Sequence, residues 1–256
     1  MRLNDFFGQF NRQIVSVCGC GGKTSLIWAL AAQSGSRKTL VTTTTHTQKP
    51  DKTSRIFDYF FEEAEVDCIN PPCGISFAGN INPYGVSASS FSLPALEKII
   101  PLFDHVFIEA DGSRTRPLKS WALYEPVITE STTVTIGILP VWPLGKPVSS
   151  DIVHRLPLFT ALSGAKEGDT LSYEHYIPII SGYTVDGVDK NAELRAVTHS
   201  LFSVAKGQKI LFFNQVEDEQ GIEDARRVSS MLPPVFRKEL SGIIAGSIRQ
   251  NQITLL

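Results

Sequence analysis

The first stretch of the chain that could do chemistry is a glycine-rich turn followed by a lysine and two hydroxyl side chains. Residues 14–25 read IVSVCGCGGKTS, an apolar run that leads directly into the glycines. The full phosphate-loop pattern is G-x-x-x-x-G-K-[ST]; its end is present as Gly22, Lys23 and Thr24, but Val17 occupies the position of the first glycine. The shortened G-x-x-G-K-T form fits a phosphate-binding loop or an ordinary glycine turn with a solvated lysine. The apolar strand before it and the helical pattern after it favour the phosphate-binding loop.

Each part of such a loop has a physical role. Glycines let the backbone turn several N–H groups toward one anion. The N-terminus of the following helix adds partial positive charge at the same point. Lys23 would bridge the outer phosphates of a nucleoside triphosphate, and the Thr24 hydroxyl would bind Mg²⁺. The predicted nucleotide-binding residues of the loop are Gly19, Cys20, Gly21, Gly22, Lys23, Thr24 and Ser25.

A second apolar strand ends in carboxylates. The segment VFIEADGSRTRPLKS places Glu109 and Asp111 on one face, because strand side chains alternate. We predict that both are metal-binding and catalytic: one holds Mg²⁺ with Thr24, and the other orients or deprotonates a water molecule. Three cations follow, which we predict to neutralise charge on a transferred phosphoryl group or to bind an anionic substrate: Arg114, Arg116 and Lys119. The alternative is an Asp-Gly turn with solvated surface charges.

Two other strand ends carry polar side chains. In VTTTTHTQKP, Thr44 is predicted to reach the metal or the terminal phosphate, although threonine is also ordinary strand content. His46 is either a ligand or proton carrier, or a structural histidine. The segment FFNQVED loosely matches the guanine-reading motif N-K-x-D. Asn214 and Gln215 are therefore predicted to contact the base of the nucleotide, without distinguishing ATP from GTP.

These motifs are embedded in alternating strand-like and helix-like segments. Near-continuous apolar strands separated by helices predict a three-layer α/β fold, in which a mostly parallel sheet has helices on both faces. We expect one domain over residues 1–256, with the turn-rich region 145–190 as a lid or insertion. The spacing of Leu194, Val197, Leu201 and Val204 predicts a helix over 190–207.

Composition excludes several classes of function. The formal net charge of −2 suggests neither a nucleic-acid nor a membrane-surface partner. No apolar run approaches the roughly 18–20 residues that span a bilayer. The four cysteines, at positions 18, 20, 68 and 73, are too few for a disulfide scaffold, and their spacing does not match a zinc ribbon. Reduced thiols and a cytoplasmic location are the expectation.

Taken in order, the motifs resemble the YqeC-like family of selenium-dependent hydroxylase accessory proteins. The resemblance covers nearly the whole chain and rests on VCGCGGKTS, TLVTTTTHTQKP, FIEADGSRTRPLKS, EPVI, VHR and FFNQVED. It implies a P-loop NTPase-like fold, and a partner that is a molybdenum hydroxylase or its cofactor. It also marks Glu125 and the pair His154–Arg155 as secondary candidates for the site.

Three functions remain open. The first is an Mg²⁺-dependent nucleoside triphosphatase or phosphotransferase that assists maturation of a selenium-dependent molybdenum hydroxylase. The second is a non-hydrolysing, nucleotide-gated chaperone that inserts cofactor or selenium, for which Cys18 and Cys20 offer thiols. The third is a relative of the Mur ligases, whose loop has the same shortened form; a ligase would need further domains.

Overall fold

The alternation of strands and helices is present in the computed structural model, which describes residues 1–7, 12–50, 56–82, 84, 86–194 and 196–256. The strands of these ranges are β1 (Gln13–Gly19), β2 (Lys38–Thr43), β3 (His46–Gln48), β4 (Tyr59–Phe61), β5 (Gly74–Ala78), β6 (Asn80–Ile81), β7 (Ser87–Ser89), β8 (His105–Glu109), β9 (Leu118–Lys119), β10 (Val134–Pro140), β11 (Val153–His154), β12 (Gln208–Asn214), β13 (Leu240–Ser247) and β14 (Gln252–Leu255). The α-helices are α1 (Leu3–Phe7), α2 (Lys23–Ala32), α3 (Leu93–Ile99), α4 (Leu156–Ser163), α5 (Tyr173–Ser181), α6 (Lys190–Leu194), α7 (Glu219–Met231) and α8 (Pro234–Arg237). Short 3₁₀ turns span Glu63–Cys68 and Ile100–Leu102.

One nine-stranded sheet forms the centre of the molecule. Its strand order is β14-β13-β12-β10-β1-β8-β2-β5-β4, and every neighbouring pair is parallel except β13 and β14. The glycine-loop strand β1 lies in the middle, between β8 and β10. The predicted mostly parallel α/β sheet is therefore confirmed. Two small sheets, β9 with β11 and β3-β7-β6, lie outside it.

Strand alternation divides the core into two faces, which produces the three layers. On one face Val15, Val17 and Phe212 pack with Leu26 and Ile27 of α2. On the other face the strand side chains form two clusters, one with α3 and one with α4, α5 and α7. Leu211 and Phe213 belong to the second cluster. Neighbouring residues such as 211 and 212 thus enter opposite layers, as the period of a strand requires.

The register brings the predicted site residues to one edge of the sheet. Glu109, the last residue of β8, pairs with Val17 on one side and with Thr43 on the other. Gly19 ends β1 beside Ile138 of β10. Because these strands are parallel, their carboxyl ends and the loops that follow them meet at the same edge.

The predicted helix over 190–207 is wrong beyond its first turn. Helix α6 ends at Leu194, residue 195 lies outside the described residues, and 196–206 form turns and short irregular segments. Leu201 and Phe202 are consecutive and both buried. The N–H of Leu201 donates to the carbonyl oxygen of Ile179, and both side chains lie against Gly137. A helix would have turned these two side chains in different directions, so packing against β10 overrides the periodicity.

The region from 145 to 190 has more regular structure than its turn-rich sequence suggests. It contains α4 and α5, and Phe159, Tyr176 and Ile177 from these helices belong to the buried core. A movement of this region as a lid stays a prediction. No helix in the described part of the chain is long and apolar enough to cross a membrane.

Candidate functional site

The glycine loop is held in a shape that only glycine adopts easily. Gly19, Gly21 and Gly22 have φ values of 105°, 80° and 127°. A Cβ at Gly19 would lie 2.1 Å from the carbonyl oxygen of Ile138, and one at Gly22 would lie 2.5 Å from Nδ2 of Asn214. Both the positive φ and the close neighbours therefore require glycine here.

Five consecutive backbone N–H groups of this loop have no acceptor among the described residues. They belong to residues 21–25, at the start of α2, whereas the N–H of Cys20 is bound to the Ile138 oxygen at 2.8 Å. Residues 21–25 line a cleft of about 580 Å³, together with Glu109, Thr47 and the turn at 112–117. Unpaired donors at a helix N-terminus that open onto a cleft form a site for an anion.

Lys23 lies within this loop but is turned toward carboxylates. Its Nζ donates to the Gly19 oxygen at 2.7 Å and lies 3.4 Å from Asp111 and 3.8 Å from Glu109. Burial lowers the pKa of Lys23, but the two carboxylates outweigh it, so the net pKa lies above the ordinary value. The amine is therefore charged, and it lies at the wall of the cleft.

Asp111 is completely buried, and its side chain contacts the glycine loop. Its two carboxylate oxygens accept from the N–H of Gly19 at 3.1 and 3.0 Å, and one of them also accepts from the indole of Trp121. Burial raises the pKa of Asp111, but Lys23, Lys119 and these two hydrogen bonds outweigh it, and the net pKa lies below the ordinary value. Asp111 does not line the cleft. It holds the lysine and the first glycine of the loop in place.

Glu109 is the carboxylate that faces the cleft. Its Oε2 accepts from the hydroxyl of Thr24 at 3.0 Å and from that of Thr47 at 2.6 Å. Thr47 was not among the residues predicted from the sequence, although it lies two positions after the threonine cluster that ends at Thr45. Carboxylate and hydroxyl oxygens at hydrogen-bond distance are a donor set that suits Mg²⁺, which usually takes one or two protein ligands and completes its shell with water and phosphate.

The three predicted cations after β8 separate into two groups. Arg114 is exposed at the cleft and has no ion-pair partner in the described part of the chain, and it sits in a left-handed turn with φ 49°. Arg116 also lines the cleft, and it donates to the Ser150 oxygen at 2.7 Å. Lys119 is different: it has no exposed surface and is not part of the cleft wall.

Lys119 belongs to a buried chain of charges behind Asp111. Its Nζ lies 3.2 Å from Asp111 and 3.0 Å from Glu125, and it donates to the Gly112 oxygen at 2.6 Å. Glu125 in turn accepts from Nε of Arg155 at 2.8 Å. The predicted contact of Lys119 with a phosphoryl group does not exist in this arrangement, because Asp111 and Glu125 occupy its amine. His154 is next to this chain; burial and the cations Arg155, Lys119 and Arg114 lower its pKa to about 4.

Thr44 and Asn214 support the backbone of the site. The Thr44 hydroxyl donates to the Val127 oxygen at 2.7 Å, and Thr44 does not line the cleft. Asn214 is buried, and its side-chain amide donates to the Gly21 oxygen at 2.6 Å and accepts from the N–H of Ile248 at 3.1 Å. Asn214 therefore braces the glycine loop, and its side chain is not free to read a base.

Gln215 and Trp142 stand together at the cleft. Gln215 is in the left-handed region, with φ 62°, and its Oε1 accepts from the indole N–H of Trp142 at 2.8 Å. Both line the cleft, and 47% of the Trp142 surface is exposed. The sequence offered no signal for Trp142, since it lies in the loop after β10, outside the motifs. His46 is also exposed in the cleft wall.

The cysteines do not form a common site. Cys18 and Cys20 are fully buried, and burial is the main cause that raises the pKa of Cys18 and that of Cys20, the latter to about 12. Both are therefore protonated thiols. Cys68 and Cys73 are exposed, and all four are free. No group of three or more His, Cys, Asp and Glu side chains with the arrangement of a metal site occurs in the described ranges.

A larger cavity, of about 760 Å³, lies at the N-terminus of α7 and is lined by Glu217, Asp218, Glu219 and Glu223. We place the functional site in the smaller cleft, because an acidic wall repels phosphate, whereas the residues that carry the unpaired N–H groups line the smaller cleft. Glu217, the residue closest to the acidic position of a base-reading motif, pairs with Arg249 beside this other cavity.

Comparisons with known proteins agree with the motifs. The model of the YqeC protein family matches residues 15–157, which include the glycine loop, Glu109, Asp111, Glu125 and Arg155. The chain is 29% identical over 255 residues to the uncharacterized protein YqeC of Escherichia coli strain K12, and the alignment covers 96% of this chain and 92% of the relative. No solved structure matches significantly. The family model covers more than half of the chain, and the chain belongs to the YqeC family.

Proposed function

We propose that this protein binds a nucleoside triphosphate with Mg²⁺ and is a nucleoside triphosphatase or phosphotransferase. The observation that carries the proposal is the set of five N–H groups at residues 21–25 that have no acceptor in the described part of the chain and that belong to residues lining the cleft, one of which is the charged Lys23. Backbone donors, helix N-terminus and lysine all favour a polyphosphate at this point.

Lys23 changes partner when a polyphosphate occupies the loop. Its amine lies 3.4 Å from Asp111, within the same loop as the free donors, so a rotation of its flexible stem turns it from the carboxylate to the phosphates. Asp111 stays compensated, because Lys119 and the N–H of Gly19 remain with it. The site therefore does not leave a buried charge unpaired when it fills, which would cost several kcal/mol.

Thr24 and Glu109 would hold Mg²⁺, since their oxygen atoms are already 3.0 Å apart at the cleft wall. Bound there, the ion would neutralise the phosphate oxygens. Thr47 holds the Glu109 carboxylate in its present orientation. Arg114 and Arg116 line the cleft and would contact the transferred group or an anionic second substrate.

The base of the nucleotide would lie at Trp142 and Gln215. A half-exposed indole offers a stacking surface, and the Gln215 carboxamide carries both a donor and an acceptor. A carboxamide can meet the edge of adenine or of guanine, so ATP and GTP both remain candidates.

A nucleotide-gated chaperone without turnover is the second candidate, and one observation favours it. Asp111, the predicted base for water, is fully buried and already surrounded by donors. Of the two predicted carboxylates, Glu109 alone faces the cleft, and it accepts from two hydroxyls. Selenium transfer through Cys18 or Cys20 is disfavoured, since both are buried, protonated thiols.

The biological setting comes from the family resemblance of the chain. We include in the proposal that the protein assists maturation of a selenium-dependent molybdenum hydroxylase, with that enzyme or its cofactor as partner, in the cytoplasm. The four unpaired cysteines agree with a reducing compartment.

The deciding experiment is a calorimetric titration with MgATP and MgGTP. Lys23→Ala should weaken binding by about a hundredfold, the upper range for a hydrogen bond to a charged group, while circular dichroism shows a folded chain. The control is Lys209→Ala, which removes an equal charge at the amino end of β12, far from the cleft edge of the sheet. Equal affinity of the wild type and Lys23→Ala would remove the loop assignment. Phosphate release by the wild type but not by Glu109→Gln then separates an enzyme from a chaperone.

A further inference from the structure

Five charged side chains form one unbroken series from the loop toward the surface. Lys23 lies 3.4 Å from Asp111, Asp111 3.2 Å from Lys119, Lys119 3.0 Å from Glu125, and Glu125 2.8 Å from Arg155. Cations and anions alternate along it. Asp111 and Lys119 have no exposed surface, and Glu125 is buried as well. Such a series is weakly screened, so each charge acts strongly on its neighbours.

The outer end of the series is held by backbone geometry. Arg155 has φ 62°, unusual for a residue with a side chain, and its carbonyl oxygen accepts the first hydrogen bonds of α4. Its guanidinium lies 5.1 Å above the ring of Tyr124, next to Glu125 in the chain. A strained backbone conformation is retained only where the contacts around it hold it in place. Nothing in the cleft requires this geometry, since neither Glu125 nor Arg155 lines it.

We propose that Glu125 and Arg155 are positioning residues for polyphosphate binding, acting on Lys23 through Lys119 and Asp111. This inference rests on the proposed function of the loop. The Lys119 amine is shared between two carboxylates, at 3.2 and 3.0 Å. A change that moves the Lys119 amine toward Glu125 leaves the negative charge of Asp111 less neutralised. Asp111 then attracts Lys23 more strongly and holds its amine away from the phosphates. A change that breaks the Lys119–Glu125 ion pair lets Lys119 neutralise Asp111 more fully, which frees Lys23 for the phosphates.

The sign of each substitution follows. Arg155→Gln leaves Lys119 as the cation of Glu125, so Lys119 moves away from Asp111 and Lys23 is held more tightly. MgATP affinity should fall by at least about fivefold, the lower end of measured coupling between sites. Glu125→Gln releases Lys119 to Asp111 and frees Lys23, so affinity should rise. In the Glu125→Gln background, Arg155→Gln should not change MgATP affinity further, because the Glu125 carboxylate through which Arg155 acts on Lys119 is absent.

The double-mutant cycle separates this mechanism from two simpler ones. If the two residues were merely structural, both single variants would bind more weakly. If they acted only through their distant charge, the effects would be opposite but additive, and the double variant would return to wild-type affinity. The proposed series requires the double variant to match Glu125→Gln, at both low and high salt. Either of the other patterns overturns it. Glu239→Gln and Lys209→Gln, from an ion pair at the far end of β12, serve as charge-matched controls.

Trp121 provides a readout that needs no nucleotide. Its indole donates to Asp111, and the Lys119 amine lies 5.5 Å from its ring. In protein labelled with 5-fluorotryptophan, the fluorine resonance of Trp121 should shift in Arg155→Gln and in Glu125→Gln, and the resonance of Trp28 should not. An unmoved Trp121 resonance refutes the series even where nucleotide binds. Absence of nucleotide binding by the wild type, with a shifted Trp121 resonance, would instead refute the proposed function and keep the electrostatic series.

Discussion

Replacement of Asp111 by asparagine is the most informative single change in this protein. The sequence alone predicts a carboxylate that handles metal or water, whose loss would spare binding and stop turnover. The structure predicts a different result. Asp111 is fully buried between Lys23 and Lys119, so asparagine leaves two buried cations with one compensating charge fewer. We expect loss of stability and loss of nucleotide affinity together.

The size of the effect follows from the contacts. Three cations and three carboxylates lie beside and behind the loop, and their charges balance. All six side chains are buried except Arg155, which is half-buried. Removing one member of a buried pair costs about 3–5 kcal/mol. At about 2–4 °C per kcal/mol for a chain of this size, the melting temperature should fall by roughly 10 °C. Asp111→Asn combined with Lys119→Met restores neutrality, and it should recover part of the loss.

The assay is urea unfolding followed by far-ultraviolet circular dichroism, which does not depend on the indole next to Asp111. The difference between wild type and Asp111→Asn should also depend on pH. Because the folded pKa of Asp111 lies below its ordinary value of 3.8, its stabilisation is fully present above that value and is lost as the pH falls through the folded pKa. A loss of less than about 1 kcal/mol at pH 7, no larger than a surface ion pair, would refute the organising role of Asp111.

Three further predictions test other parts of the site. Gly22→Ala should weaken nucleotide binding and lower the melting temperature much more than Gly145→Ala. Both glycines have positive φ, 127° and 78°, but a Cβ at residue 22 would lie 2.5 Å from Asn214, whereas one at residue 145 meets nothing within 4 Å. Equal effects of the two variants in calorimetry would contradict the role of the close contact with Asn214. Trp142→Ala should weaken MgATP binding by about tenfold, the scale of an aromatic stacking contact, and leave inorganic tripolyphosphate unaffected; equal losses for both ligands would show that the indole acts on the phosphate loop. His154→Gln should remove part of the dependence of stability on acid pH. The pKa of His154 in the folded chain, about 4, lies below the ordinary 6.5, so the unfolded chain binds the proton first. The stability of the wild type should therefore fall as the pH drops from about 6.5 to 4. His105 and His175 are lowered in the same direction and remain in both proteins, so a wild-type and variant difference that does not change over this range would contradict the His154 assignment.

Much of the fold could be predicted from local patterns. The buried strands β1, β8, β10 and β12 are near-continuous apolar runs, so their place in a parallel sheet follows from their composition. Helix α2 could be predicted from the glycines before it and its apolar spacing. The wrongly predicted helix after Leu194 shows the limit: Leu201 has helical spacing to Leu194 and Val197, but its side chain, like that of Phe202, packs against Gly137 of β10.

The sequence by itself determined the identity and order of the chemical groups: a glycine loop with Lys23 and Thr24, the carboxylates of β8, and the cations after them. These follow from chain-local rules, since the glycines, the strand period and the helix start act within a few residues. Only the tertiary structure decided which group faces the cleft. Glu109 and Asp111 are two residues apart, yet one lies at the cleft and the other is enclosed by Trp121 and Lys119. Exposure depends on what packs over a side chain from distant segments. Arg155 reaches Glu125, the partner of Lys119, because folding brings β9 and β11 side by side.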